Sequence, residues 1–456
     1  MKLTIIGGAG VRTPLLIPSL VRRAERLDLQ EVWLMDIDAS KLELIGGLCQ
    51  AVARQLDAPF RIVLSTDARA SLSGASHVIT SVRPGFEQAR ATDERICFNH
   101  GVLGQETTGA AGFSMAMRSL HVILDYCRLR DEVAPDAWVY NFTNPAGLVV
   151  QGLHDAGIRR VVGICDGANL GQQAASRYLD VPVERVHHEL FGLNHLSWTR
   201  SIRIDPELDG TGGEEVLPAL LSDPKFIRST LLAMFDPDLL ASQGMFLNEY
   251  LHYWYHRDEA LKSLLAKSET RGEEIIGNTR EMLTRLKEVD AVHNPEVGLK
   301  EYHTILGKRH ASYMAHTRHN EPKPQTDDAD DEGYAGVALN CVVAIATDTP
   351  LFTGLNVPNN GAITGMRDDD VVEVSCRVDA GGPHPVQIGE APESQYLLMR
   401  DVKRYERLAS QSILQRSRKL AVEALAAHPL IASYPLAKTL VSEFIAAHPD
   451  TIGVWH

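Results

Sequence analysis

The chain has few cysteines, and none is spaced as one of a pair. Cys49, Cys97, Cys127, Cys165, Cys341 and Cys376 are scattered through 456 residues. That spacing excludes a disulfide framework and points to a reducing, cytoplasmic compartment. No apolar run reaches the length of a bilayer span, and the opening MKLTIIGG meets its glycines too early for the apolar core of a signal peptide. Basic residues are in deficit. Against 59 Asp and Glu there are 45 Lys and Arg, a formal net charge of −14. Nucleic acid and anionic membrane are therefore excluded as partners, whereas a small anion held by local arginines is not. No internal repeat is present. What remains, 44% hydrophobic and 23% charged residues, describes an ordinary globule too long for one core, hence two interlocked lobes without an obvious linker.

The first lobe is written in strands and helices that alternate. Residues 2–6 are apolar and lead into Gly7-Gly8-Ala9-Gly10-Val11-Arg12-Thr13-Pro14, then into the helical pattern LLIPSLVRRAERL. Strand, glycine turn and helix N-terminus together cradle a pyrophosphate on backbone N–H groups. The second strand, 31–36, ends in Asp36, placed to accept the ribose hydroxyls of NAD and to repel the extra phosphate of NADP. Asp38 is the alternative. Further strands are predicted at 61–66, 76–82, 137–143 and 160–165, with helices between, so the fold class is α/β. It is a Rossmann-like, doubly wound parallel sheet over residues 1–190, followed by an α+β substrate domain over 191–456.

One stretch, 161–198, carries the strongest chemical signal. VVGICDGAN delivers Cys165 and Asp166 to the end of a buried strand, where open parallel sheets put their ligands. FGLNHLSW delivers Asn194 and His195 about thirty residues later. A thiolate and an imidazole that meet suit Mn²⁺, Fe²⁺, Co²⁺, Ni²⁺ or Zn²⁺ better than Mg²⁺ or Ca²⁺; a lone Cys or His is otherwise a packing residue. Residues 83–112, dense in Arg and carboxylate, read as a long insertion, either a solvated loop or, at Gln105-Glu106-Thr107-Thr108, a ligand contour. Asn144 before Pro145 reads equally as a helix N-cap. Beyond 199, helices are expected over 214–307 and 392–448. Within them Tyr250, Tyr253 and Trp254 fall at helical spacing and form in part a core stripe. The acidic residues 319–332 are expected to form a loop, 333–350 a helix or strand against the first lobe, and 351–363 and 371–389 strands.

Taken in order, GGAGVRTP, GFEQARATDE, GQETTG, NFTNP, ICD, GLNHLSW, NEYLHYWY and NNGAI resemble the landmarks of glycoside hydrolase family 4, over nearly the whole chain. That family is an exception to the two-carboxylate scheme by which most glycosidases work. The resemblance implies an architecture like that of lactate and malate dehydrogenases, NAD as a catalytic cofactor, a divalent metal such as Mn²⁺ on Cys165 and His195, and homodimers or homotetramers. It implies Tyr250 as the base at C2 of the sugar and Asp166 as the acid on the leaving oxygen. Gly7, Gly8, Gly10, Val11, Asp36 and Asn144 would hold NAD; Arg90, Glu106, Asn144, Asn194 and Arg271 would hold the sugar. GFEQARATDE and NHLSW look most like the 6-phospho-β-glucosidases. Asp166 after the cysteine is what α-acting members present, and Asp331-Glu332-Gly333-Tyr334 stands where an Arg-Gly-Gly pattern is usual. An α-linked or unphosphorylated glycoside or uronide is thus the alternative substrate. A lactate or malate type dehydrogenase and a non-catalytic NAD sensor are the alternative functions.

Overall fold

The computed structural model describes residues 1–207, 212–312 and 333–456. The acidic stretch 319–332 lies outside the described residues. The chain opens with six strands separated by helices: β1 (Lys2–Ile6), β2 (Glu31–Met35), β3 (Arg61–Ser65), β4 (His77–Thr80), β5 (Trp138–Asn141) and β6 (Val161–Gly163). All pair in parallel. All but the edge strand β3 are short, largely buried apolar runs, as parallel strands covered by helices must be. Their order in space is β6-β5-β4-β1-β2-β3. The order reverses between β1 and β4, which opens a crevice at their C-terminal ends.

A smaller sheet contains β7 (Val186–Leu193), β8 (Leu196–Ile204), β9 (Glu214–Glu215) and β10 (Phe246–Leu247). Later strands return to the first sheet. β11 (Leu351–Pro358), β12 (Val371–Asp379) and β13 (Gly382–Pro385) extend it antiparallel from β6. Asn356 of β11 pairs with Gly163 of β6, so the second half of the chain reaches the strand that precedes Cys165. The helix Gly333–Thr347 packs against the helix Thr13–Arg23, with Arg23 Nη2 donating to Asn340 at 2.8 Å.

Two expectations are corrected. Residues 83–112 are not a loop: they hold the helix Phe86–Asn99 and the start of the helix Ala110–Val133. The charges that suggested solvent point inward, where Arg90 meets Glu94 and Glu106, and Asp93 meets Arg118. A helix whose buried face is ionic leaves no apolar periodicity to read. Nor does Asn144 cap a helix. The helix Ala146–Asp155 starts after Pro145 without a side-chain cap, and the Asn144–Pro145 bond is cis.

Candidate active site

A cavity of about 2240 Å³ runs from the glycine turn to the second lobe, large enough for a dinucleotide and a sugar together. Its cofactor end is built by close backbone packing. Gly7 has φ +89°, and a Cβ there would lie 2.1 Å from the Ser81 carbonyl oxygen; one on Gly8 would lie 2.8 Å from the Leu34 backbone. Those two glycines let β1, β2 and β4 converge, while Gly10 and Val11 line the cavity. No side chain caps the helix Thr13–Arg23, and Val11, Arg12 and Pro14 at its N-terminus line the cavity, so the positive end of its dipole lies at the crevice. Asp36 also lines the cavity; its carboxylate accepts the Ala9 N–H at 3.0 Å and the Asp38 N–H at 3.1 Å, which leaves lone pairs for further donors. Asp38 is occupied otherwise, capping the next helix through the Lys41 N–H.

Cys165, Asp166, His195 and Tyr250 line the same cavity. Cys165 follows β6, and its sulfur is 3.8 Å from Asp166 Oδ1. Burial pushes its thiol well up, and the charges of Asp166 and Glu373 push the same way. His195 occupies the tight turn between β7 and β8 at φ 63°. Its ring lies flat on Tyr250, centroids 3.5 Å apart and planes 5° apart. Burial lowers its pKa to about 3 against a raising influence from Glu106, so the imidazole is neutral at pH 7. Nδ1 is buried and has no hydrogen-bond partner among the described residues. A neutral ring with an unused nitrogen, in a cavity that the Cys165 thiol also lines, is a donor set that fits a transition-metal cation. Among the described residues no group of three or more His, Cys, Asp or Glu is placed to hold a metal.

The sugar-facing candidates divide into two kinds. Arg90, Glu106, Asn144 and Arg271 line the cavity. Arg90 donates to Glu94 at 2.8 Å and to Glu106 at 2.6 Å, and Arg83 pairs with the other Glu106 oxygen at 2.5 Å. Burial works to raise the Glu106 carboxyl, but Arg83 and Arg90 overcome it and hold the group at about 2. Arg271 begins the helix Arg271–Glu288 and donates to Glu274 at 2.8 Å and Ser312 at 2.6 Å. Asn194 is the other kind. It sits behind the lining, its amide donating to Glu373 at 3.1 Å and lying near enough to Cys165 to oppose the rise in its thiol.

Sequence reasoning missed Arg83 and the buried group formed by Glu373, Ser197, Asn248 and Asn356. The one readable signal was Glu373 itself, a carboxylate inside the otherwise apolar VVEVSC.

Residues 2–180 match the family 4 glycosyl hydrolase profile and residues 190–431 match that of its C-terminal domain. A protein of Bacillus subtilis (strain 168) named "Probable 6-phospho-beta-glucosidase" is 31% identical, covering 98% of this chain and 96% of its own. The structure of the 6-phospho-beta glucosidase from Thermotoga maritima, solved with manganese, NAD⁺ and glucose-6-phosphate, superposes with a TM-score of 0.81 at 25% identity, covering 99% of each chain. A lactate dehydrogenase, MGS-M5 from a deep-sea metagenome library, shares the fold alone, with a TM-score of 0.50 and 13% identity over 90% of this chain and 98% of its own. Matched along both halves and over nearly its whole length, the chain belongs to family 4 of the glycosyl hydrolases.

Proposed function

We propose that the cavity hydrolyses O-glycosidic bonds of 6-phospho-β-glucosides, with NAD as a resident cofactor and a divalent cation, Mn²⁺ by preference. The observation that carries this reading is the single cavity shared by the glycine turn and by Cys165, His195 and Tyr250. Gly7, Gly8, Gly10, Val11, Asp36 and Asn144 would hold NAD; Cys165 and His195 would hold the cation. When bound, NAD⁺ takes and later returns a hydride at C3 of the sugar, and the cation polarises the oxygens at C2 and C3. Tyr250 takes the C2 proton through its phenol oxygen, and its stacking on His195 sets the direction of that oxygen. Asp166, exposed at the mouth of the turn, gives a proton to the departing glycosidic oxygen as the C1–O bond breaks. Water then adds at C1, the proton returns to C2, and the bond is hydrolysed without net oxidation.

Arg90, Glu106, Asn144, Asn194 and Arg271 orient the sugar. Planar guanidinium groups suit a phosphate monoester because they donate two parallel hydrogen bonds. The division between cofactor and substrate domains falls at about residue 190. The protein is a homodimer or homotetramer joined by the helices beyond 214, and it works in the cytoplasm. All six cysteines are free and buried, in keeping with a reducing compartment, and no described helix is long and apolar enough to cross a membrane.

The test is hydrolysis of para-nitrophenyl glucosides with and without a 6-phosphate, in both anomers, with Mn²⁺ and a thiol reductant, while NADH absorbance is followed. Release of nitrophenol from the phosphorylated β-anomer without NADH accumulation is expected. Steady NADH accumulation would instead identify a dehydrogenase.

A further inference from the structure

Glu373 lies fully buried on β12, flanked in sequence by Val371, Val372 and Val374. A residue there for packing alone would be apolar, since burying a carboxyl group without a cation is costly. Its two oxygens take three donors. Asn194 Nδ2 and Asn356 Nδ2 each reach Oε1 at 3.1 Å, and Ser197 Oγ reaches Oε2 at 2.7 Å. Burial raises the carboxyl to about 7, the three donors oppose that, and the charge of Asp166 raises it further.

The three donors come from two parts of the site, the His195 turn and β11. Asn194 precedes His195, and its side chain is near enough to Cys165 to oppose the rise in its thiol. Ser197 follows His195 and accepts from Asn248 Nδ2 at 3.1 Å; that amide also reaches the Gly167 carbonyl at 3.3 Å. Asn248 Oδ1 in turn accepts the Tyr250 N–H at 3.0 Å. Asn356 pairs with Gly163, at the end of the strand that delivers Cys165. One buried hydrogen-bonded chain therefore joins the Cys165 turn, the His195 turn and the Tyr250 turn, and its donors converge on Glu373.

We propose that Glu373 is a positioning residue: by gripping Asn194, Ser197 and Asn356 it holds the turns of Cys165 and His195 at the spacing one divalent cation needs. The proposal rests on the reading that Cys165 and His195 bind that cation. An amide is an imperfect replacement: its oxygen can still accept from Asn194 and Asn356, but its NH₂ must donate to the Ser197 hydroxyl, which then no longer donates to position 373.

The experiment titrates Mn²⁺ into the full-length protein without NAD or substrate and measures affinity by calorimetry, with the urea midpoint in EDTA as the check on folding. Glu373→Gln is expected to keep its EDTA midpoint and to bind Mn²⁺ about 10–100-fold more weakly, as expected for loss of an outer-shell partner. A folded Glu373→Gln protein with unchanged Mn²⁺ affinity overturns the proposal. Should that variant not fold, Ser197→Ala removes one donor and no charge; weaker Mn²⁺ binding supports the proposal and unchanged binding overturns it. Cys165→Ser and His195→Ala are run beside them. If these two retain Mn²⁺, the cation site itself is wrong; if they lose it while Glu373→Gln does not, Glu373 alone is misassigned.

Discussion

At the scale of single residues, the site separates groups that act from groups that hold them. Tyr250→Phe keeps the ring that lies on His195 at 3.5 Å and removes only the phenol oxygen. We expect kcat on the phosphorylated β-glucoside to fall about 10²–10⁴-fold, the usual worth of a general base, with Mn²⁺ affinity unchanged; an active Phe variant would sink the assignment. Arg90 behaves differently, because it sits between two carboxylates, Glu94 and Glu106, with its side chain 10% exposed. Arg90→Ala takes the cation from the buried Glu94, while Glu106 keeps Arg83, and is expected to cost about 3–5 kcal/mol of stability, read as a drop in the urea midpoint before any assay is run. Cys165 and His195 were picked out by their motifs and Tyr250 by the family resemblance, and all three line the same cavity. Glu373 was not, since a lone acid in a strand also reads as the solvent side of an alternating pattern.

At the scale of elements, the parallel strands were readable from their apolar runs to within a residue or two, as for 61–66 against Arg61–Ser65. The helix Phe86–Asn99 was not, because its inward face is made of Arg90, Asp93 and Glu94. That ionic face is also what docks it. The Gly272 N–H donates to Glu94 at 2.6 Å, and a Cβ on Gly272 would lie 2.8 Å from the Ala91 backbone. The two helices that carry Arg90 and Arg271 thus touch where no side chain fits. Gly272→Ala must push them apart, at about 1–3 kcal/mol for such overpacking. Because both arginines then shift, KM for the phosphorylated substrate should rise more than kcat falls. A KM equal to that of the parent enzyme would show that the contact does not govern arginine placement.

For the whole molecule, the alternation of strands and helices made the doubly wound half legible, but nothing local indicates that β11 returns to β6; long-range antiparallel pairing leaves no mark within either segment. The burial this produces has a consequence for pH. His77, His154 and His188 are held at about 4, and His195 and His428 at about 3, each chiefly by burial against an ordinary 6.5. Their folded pKa values are depressed, so their contribution is complete above pH 6.5 and is lost as pH falls toward 4 and 3. Glu373 runs the other way. Burial raises it to about 7 from 4.5, so the stability it contributes is present below 4.5 and is lost as pH climbs to 7. Between pH 6.5 and 4.5 unfolding therefore takes up protons on these histidines and releases the one from Glu373. A net uptake of about four protons corresponds to roughly 5 kcal/mol per pH unit, against total stabilities of about 5–15 kcal/mol. The urea midpoint should consequently fall steeply from pH 6.5 and vanish between about pH 4 and 5, before the Glu106 carboxylate, held at about 2, begins to protonate. A midpoint that stays level from pH 7 to 5 would mean that these imidazoles reach water in the folded protein, and with it that His195 is not the neutral, enclosed donor on which the cation site depends.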